Sequence, residues 1–290
     1  MRITSDWHIH SRNSCDSASL EMRDLVREAE TVGITDFGVT DHIHTPYNLP
    51  DLAASRAEFL ADSPSPRFHF GVEVSCVSVW ELAEIAKGGH ERPVYGLRSG
   101  GPAGAELAIG LSADDLRSYG IEYVVGGTHW PMYVPVEPQA MIRDYHRQNL
   151  FLACHPLVDI VAHPWWWMGA WKDSAGNYLT EPWLGDFGVI PQALHDEFAA
   201  ALLEHDKVFE INISAILLNP HYPPRFARQY LDYVAGIKAR GVAICLASDC
   251  HDPHYTAIDF ATAARWLDSV GIQTDDLWRL PPREAVPKQG

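Results

Sequence analysis

Short apolar runs rich in valine, isoleucine and phenylalanine recur at residues 2–6, 34–40, 68–74, 123–127, 159–162, 208–213 and 242–247. Most are apolar on both faces, the pattern of parallel strands buried between two layers. Between them the spacing becomes helical. Over 19–32, Met22, Leu25, Val26, Ala29 and Val32 share one face. Ser19 stands where an N-cap belongs, Glu21 and Asp24 occupy the first turn, and Gly33 ends the run. Comparable helices are predicted over 138–153, 192–205, 225–240 and 256–270. Alternating strand and helix imply a parallel sheet with helices outside. Seven strands in 290 residues favour an α/β chain whose sheet closes into a (β/α)7, TIM-like barrel. A single domain is expected over 1–280, with a peripheral tail, 281–290, rich in proline and charge.

Two stretches break this rhythm. Residues 87–110 are glycine-rich and are predicted to be an insertion or a flexible loop. Residues 164–191 carry Trp165, Trp166, Trp167, Trp171 and Trp183. With Trp130, Met132 and Tyr133, these tryptophans suit either a substrate pocket or a subunit interface.

Charge narrows the function classes. The chain has 38 acidic residues against 22 Lys and Arg, a formal net charge of −16. Such a surface repels phosphate backbones, so nucleic acid is not an expected partner. No apolar run reaches the roughly 18 residues of a membrane span, and residues 1–6 lack a secretory leader's apolar stretch. Cys15, Cys76, Cys154, Cys245 and Cys250 are odd in number and form no CxxC pair. Reduced thiols and a cytoplasmic location are expected.

The ends of the strand-like runs carry the chemistry. The first is followed by His8-Ile9-His10, whose histidines point to one side of an extended segment and can grip one ion. Five of the other six end in Asp41-His42, Glu73, Thr128-His129, His163-Pro164 and Asp249-Cys250-His251. In a parallel barrel these ends meet at one face, where barrel enzymes place their sites. Each histidine alone is best explained as a hydrogen-bonded core or surface residue, but that account does not explain why they fall together at strand ends. A mixed imidazole and carboxylate set suits Zn, Fe or Mn better than Ca or Mg.

These residues resemble the ligand pattern of the polymerase and histidinol phosphatase (PHP) superfamily along nearly the whole chain. The family's opening HxH is His8-Ile9-His10, and its next ligand, six residues on and often histidine, is here Asp16. The remaining positions match at His42, Glu73, His129, His163, Asp249 and His251. The resemblance implies a distorted seven-stranded barrel with two or three divalent ions. By it, His8, His10, Glu73 and Asp249 hold one ion, and Asp16, His42 and His251 hold a second. Glu73 then bridges to a third held by His129 and His163. It also implies hydrolysis of a small phosphomonoester, such as histidinol phosphate or a nucleotide, by metal-activated hydroxide, with Asp249 and His251 among the catalytic residues. The alternatives are hydrolysis of an amide or lactone on the same barrel, and a non-catalytic module. The amidohydrolase type of barrel also opens with HxH but often bridges its metals with a carboxylated lysine. None of the lysines here ends a predicted strand.

Arg12, close behind the HxH, is the expected phosphate-binding cation, with Arg98 and Arg225 as other candidates, and Asn212 is expected to face substrate. His44 is expected to be a solvated loop histidine, His155 a structural residue at a helix end, and Cys15 and Cys250 packing residues.

Overall fold

The computed structural model describes residues 1–62, 65–91, 93–166 and 185–281. Trp167, Trp171, Trp183 and residues 282–290 of the expected tail lie outside the described residues.

The strands are β1 (Ser5–Asp6), β2 (Asp36–Val39), β3 (His42–Ile43), β4 (Phe68–Phe70), β5 (Val72–Ser78), β6 (Leu107–Ile109), β7 (Val124–Gly127), β8 (Ile160–Ala162), β9 (Val208–Asn212) and β10 (Ala243–Ala247). The helices are α1 (Met22–Val32), α2 (Leu49–Asp62), α3 (Val79–Lys87), α4 (Ala113–Tyr119), α5 (Pro138–Cys154), α6 (Gln192–Glu204), α7 (Pro224–Ala239) and α8 (Phe260–Ser269). Parallel pairing runs β1–β2–β4 and β3–β5–β7–β8–β9–β10. β2 with β3, and β4 with β5, are single strand paths interrupted by one or two residues. The ends of the row join through Asp249 N–H to His8 O at 2.8 Å and His10 N–H to Cys250 O at 3.0 Å. The expected α/β architecture with a parallel, barrel-like sheet is therefore present.

Every residue of β5, β7, β8 and β9 is buried, as strands covered on both faces require. Trp7, Tyr123, Val125, Ile160, Ala162, Val208 and Cys245 pack together, apart from the larger core between strands and helices. Two residues along from Val208 stands Glu210, and two further Asn212. The period of two thus carries one row from apolar to polar toward the strand's C-terminal end.

Three expectations change. Helix α1 begins at Met22, and its N-cap residue Glu21 makes no side-chain cap. Glu58 of α2 accepts from Met22 N–H at 2.9 Å instead, so a tertiary contact replaces the predicted Ser19 cap. Its far end is as predicted, with Gly33 in the left-handed region at φ 80°. Residues 87–110 are not a free loop. β6 pairs antiparallel with β5, Val79 N–H donates to Glu106 O at 2.8 Å, and Arg147 holds Ala105 O at 2.7 Å. Helices α2, α3 and α4 were not among those predicted. The first buries Leu52, Ser55 and Phe59, with a small polar residue in the middle of its inner face.

Candidate metal centre and active site

Glu73 is fully buried and stands at the centre of the strand-end residues. Its Oε2 lies 3.1 Å from His8 Nε2, 3.4 Å from His10 Nε2 and 2.8 Å from His42 Nδ1. Its Oε1 lies 3.0 Å from His163 Nε2 and 3.1 Å from His129 Nε2. Asp249 Oδ1 adds a carboxylate 3.3 Å from His10 Nε2 and 3.6 Å from His8 Nε2. Asp16 Oδ2 lies 2.9 Å from His42 Nε2 and also meets His251 Nε2. The structure therefore brings all nine predicted ligand residues together.

Backbone and glycine chemistry make this convergence possible. His163 and Asp249 adopt positive φ, 30° and 53°, at the turns leaving their strands. A Cβ on Gly127 would lie 2.6 Å from Glu73 Oε1, 2.7 Å from His163 Cε1 and 2.8 Å from His129 Cε1. Only glycine leaves room for three donors above β7.

The donor set fits cations. His42 Nδ1, Glu73 Oε2, His129 Nε2 and Asp16 Oδ1 are buried and lack hydrogen-bond partners, a costly arrangement unless something else meets them. Around His8, His10 and Glu73 the donor atoms lie 3.0–3.4 Å apart. Tetrahedral ligands at about 2.0–2.2 Å from a zinc-like ion are about 3.3–3.6 Å apart, so the spacing is close to that of a coordination shell. Three donor groups emerge: His8, His10 and Asp249; His10, Asp16, His42 and His251; and His42, Glu73 and His129.

The electrostatics agree. Burial alone would raise Glu73, but His42, His8 and His129 hold its carboxyl well below the usual range. Asp249 is likewise held down against burial by His8, His10 and His251. Burial, helped by His251 and His42, pushes His10 down to about 3, and burial pushes His129 down to about 4. His8 and His42 go the other way: their acidic neighbours overcome burial, taking His42 up to about 10. Ionised carboxylates and neutral imidazoles are the states that bind metal, and a cation among these acids would replace the protons that they draw to His8 and His42.

A second set of residues holds the donors in place. Glu210 Oε2 accepts from His8 Nδ1 at 2.8 Å, leaving His8 Nε2 to face Glu73. Glu210 Oε1 accepts from His163 N–H at 2.9 Å and Asn212 Nδ2 at 2.8 Å. Asn212 Nδ2 also donates to Asp249 Oδ2 at 3.1 Å. Asn212 is thus committed within the cluster and does not line the cavity. Glu210 was not singled out from the sequence, although its position two residues before Asn212 puts it on the same side of β9. Asp41, beside His42, accepts from Ser11 N–H and from the Ser11 and Ser55 hydroxyls, each at 2.6 Å.

The cluster opens into a cavity of about 310 Å³ walled by Tyr95, Trp130 and Trp166 among others. His44 lines it and is 2% exposed, so it is not a solvated loop residue. The turn Pro46–Asn48 folds back, and Asn48 Oδ1 accepts from the N–H groups of His44 and Thr45 at 3.1 and 3.2 Å. Arg12 does not reach the cavity. Its guanidinium is held at the surface by Glu21 at 2.8 Å and Glu58 at 3.0 Å, whereas Arg98 lines the cavity. Arg225 pairs with Asp186 at 2.7 Å, and His155 caps α5. All five cysteines are free. Among the described residues, no helix is long and apolar enough to cross a membrane.

No protein-family model matches the chain. It is 21% identical over 298 residues to a probable histidinol-phosphatase of Schizosaccharomyces pombe, covering 91% of this chain and 86% of that one. Its fold is similar to a histidinol phosphate phosphatase of Lactococcus lactis, solved with zinc, L-histidinol and phosphate. The TM-score is 0.58 at 17% identity, over 93% of this chain and 94% of that one. A putative histidinol phosphatase of Listeria monocytogenes gives a TM-score of 0.54 at 11% identity, over 89% and 99%. The relative named as a probable histidinol-phosphatase agrees with the resemblance drawn from the ligand pattern, and the two solved structures share the fold.

Proposed function

We propose that the chain is a metal-dependent phosphomonoesterase that releases phosphate from a small substrate, with histidinol phosphate the first candidate and a nucleotide the second. The observation that carries this reading is the division of Glu73, whose two oxygens face separate groups of histidines. In this reading one ion sits among His8, His10, Glu73 and Asp249, and a second among Asp16, His42 and His251. A third sits among Glu73, His129 and His163. Zn, Fe or Mn suits such ligands. Bound divalent ions lower the pKa of water toward neutrality and neutralise phosphoryl oxygens.

The chain's own residues supply the rest. Glu210 fixes the ring of His8, and Asn212 steadies Asp249. Asp249 and His251 belong both to the cluster and to the cavity lining, which supports a role for them beside the substrate. Tyr95, Trp130 and Trp166 restrict water around it. The complete, converging donor set argues against a non-catalytic module. We assign the activity to one barrel over 1–280. Five free thiols favour a reducing cytoplasm, and the acidic balance argues against nucleic acid as a partner. An aromatic cavity wall with a single arginine among the described lining residues also favours a second reading, hydrolysis of an amide or lactone.

The test is a panel of phosphomonoesters, diesters, amides and lactones assayed with Zn, Mn or Fe. Phosphate release from histidinol phosphate or a nucleotide is expected, abolished by a chelator and restored by metal. Turnover of a lactone or amide, with no phosphate released from any ester, would transfer the site to the second reading.

A further inference from the structure

One part of the cavity wall is not used by the ligand cluster. Arg98 comes from the segment between α3 and β6, and its position is fixed. Its Nε donates to Tyr95 O at 2.9 Å, and its Cζ lies 3.2 Å from the centre of the Trp130 ring. The segment itself is pinned: Val94 O accepts from Asn48 Nδ2 at 3.2 Å, Tyr133 Oη donates to Leu97 O at 3.3 Å, and Leu97 N–H donates to Glu81. Among the described residues that line the cavity, Arg98 is the one Lys or Arg, and it forms no ion pair. The two lining acids, Asp16 and Asp249, both belong to the cluster. A guanidinium laid flat on an indole keeps its N–H edge free for a two-pronged bond to an oxyanion.

His44 supplies an independent observation. It lines the same cavity, and its Nε2 is buried without a hydrogen-bond partner. Its Nδ1 lies 2.6 Å from Ser75 Oγ, which lies 2.9 Å from His129 Nδ1.

We propose that Arg98 is the anion-binding wall of this cavity, which His44 with its unpartnered Nε2 also lines, and takes an oxyanion of the substrate apart from the ligand cluster. Two sources supply that chemistry: the transferred phosphoryl group, or an acidic group on the leaving group. The choice of substrate rests on the phosphomonoesterase reading; the anion site does not.

The experiment compares the metal-loaded wild type with Arg98→Gln and Arg98→Lys. Inorganic phosphate is titrated by calorimetry, and KM is measured for histidinol phosphate and for phosphoglycolate, whose leaving group carries a carboxylate. If Arg98 grips the phosphoryl group, R98Q weakens phosphate binding by about 10- to 100-fold and raises both KM values. If it grips the leaving group, R98Q spares phosphate binding and raises KM for phosphoglycolate alone. In either case R98K recovers part of the loss, and metal content per chain does not change. Wild-type phosphate binding and wild-type KM for phosphoglycolate in R98Q would overturn the proposal, and so would loss of metal from R98Q. Calorimetry needs no turnover. An inactive protein whose phosphate binding depends on Arg98 would therefore keep this inference and lose the functional one.

Discussion

His69 and His42 each stand between two carboxylates, near opposite ends of the same barrel. His69 donates to Glu122 at 2.8 Å and Asp36 at 3.2 Å, and its requirements end there. Burial would lower it, but those two hydrogen bonds outweigh burial and hold it up at about 9. His42 also lies 2.8 Å from one acid, Glu73, and 2.9 Å from another, Asp16, yet its Nδ1 is in no hydrogen bond. Its acids are shared: Glu73 serves five histidines, and Asp16 also meets His251. A closed triad of one histidine and two acids is satisfied by a proton. A cluster in which donors face donors across a shared carboxylate is satisfied by cations, and this difference separates a structural ion pair from a site.

The comparison breaks most visibly at its hub. Glu73→Gln keeps the volume but removes the charge between the ion positions. Metal content by elemental analysis should fall by more than one ion per chain, and kcat should fall by at least about 100-fold. His129→Ala or His163→Ala should cost about one ion. Full occupancy and normal turnover in E73Q would reduce the cluster to a mononuclear site.

Glu210→Gln should have the next largest effect. An amide N–H facing His8 Nδ1 forces the ring's proton to Nε2, the nitrogen that faces Glu73. Metal affinity should drop by about 10- to 100-fold, and ¹⁵N shifts of the His8 ring should report the exchanged tautomer. Unchanged affinity would show that Glu210 only fills space.

Gly127→Ala should lower activity by about 10-fold, by pushing Glu73, His163 and His129 off their shared centre. Urea unfolding of the metal-free variant should stay within about 1 kcal/mol of wild type, because those donors form no closed hydrogen-bond network to lose. Equal losses of stability and activity would make the glycine a folding requirement instead.

His69→Gln should have the smallest effect, confined to stability. The folded His69 binds its proton more tightly than the unfolded one. Its contribution is therefore complete below about pH 6.5 and disappears as pH rises through about 9. The difference from wild type should be at most about 1 kcal/mol at pH 6, because the ring is partly exposed, and should vanish by pH 10. Metal content and kcat should not move. A pH-independent difference would mean the ring acts by packing against Trp7.

Eight of the nine ligand residues are legible because apolar runs place their ends, and a parallel barrel brings those ends together whatever their distance in sequence; Asp16 ends no strand and is reached only through the family resemblance. The supporting residues were less so. Glu210 lies inside a strand, where an acid looks like an interruption, and only pairing β9 with β8 and β10 shows that it faces inward. Arg12 is near the HxH in sequence, but nearness does not fix direction, and two glutamates from α1's N-terminal flank and α2 claim it. Arg98 lies in a glycine-rich stretch with no period to reveal its path; a tertiary stack on Trp130 decides it. His44 was misjudged for the same reason, since a buried turn and a solvated loop share one composition.

The joining of β1 to β10 also bears on kinetics. Ser248 and His8, 240 positions apart, meet where the barrel closes, and ligands from both sides of that seam face one another. An ion held by His10 and Asp249 would work as a clasp on a loop that contains most of the chain. Closing so long a loop in the unfolded chain costs on the order of 5 kcal/mol of entropy. Metal lost from this seam should therefore be felt first as faster opening between the chain's two ends, with amide exchange rising in β1 and β10 before any other strand.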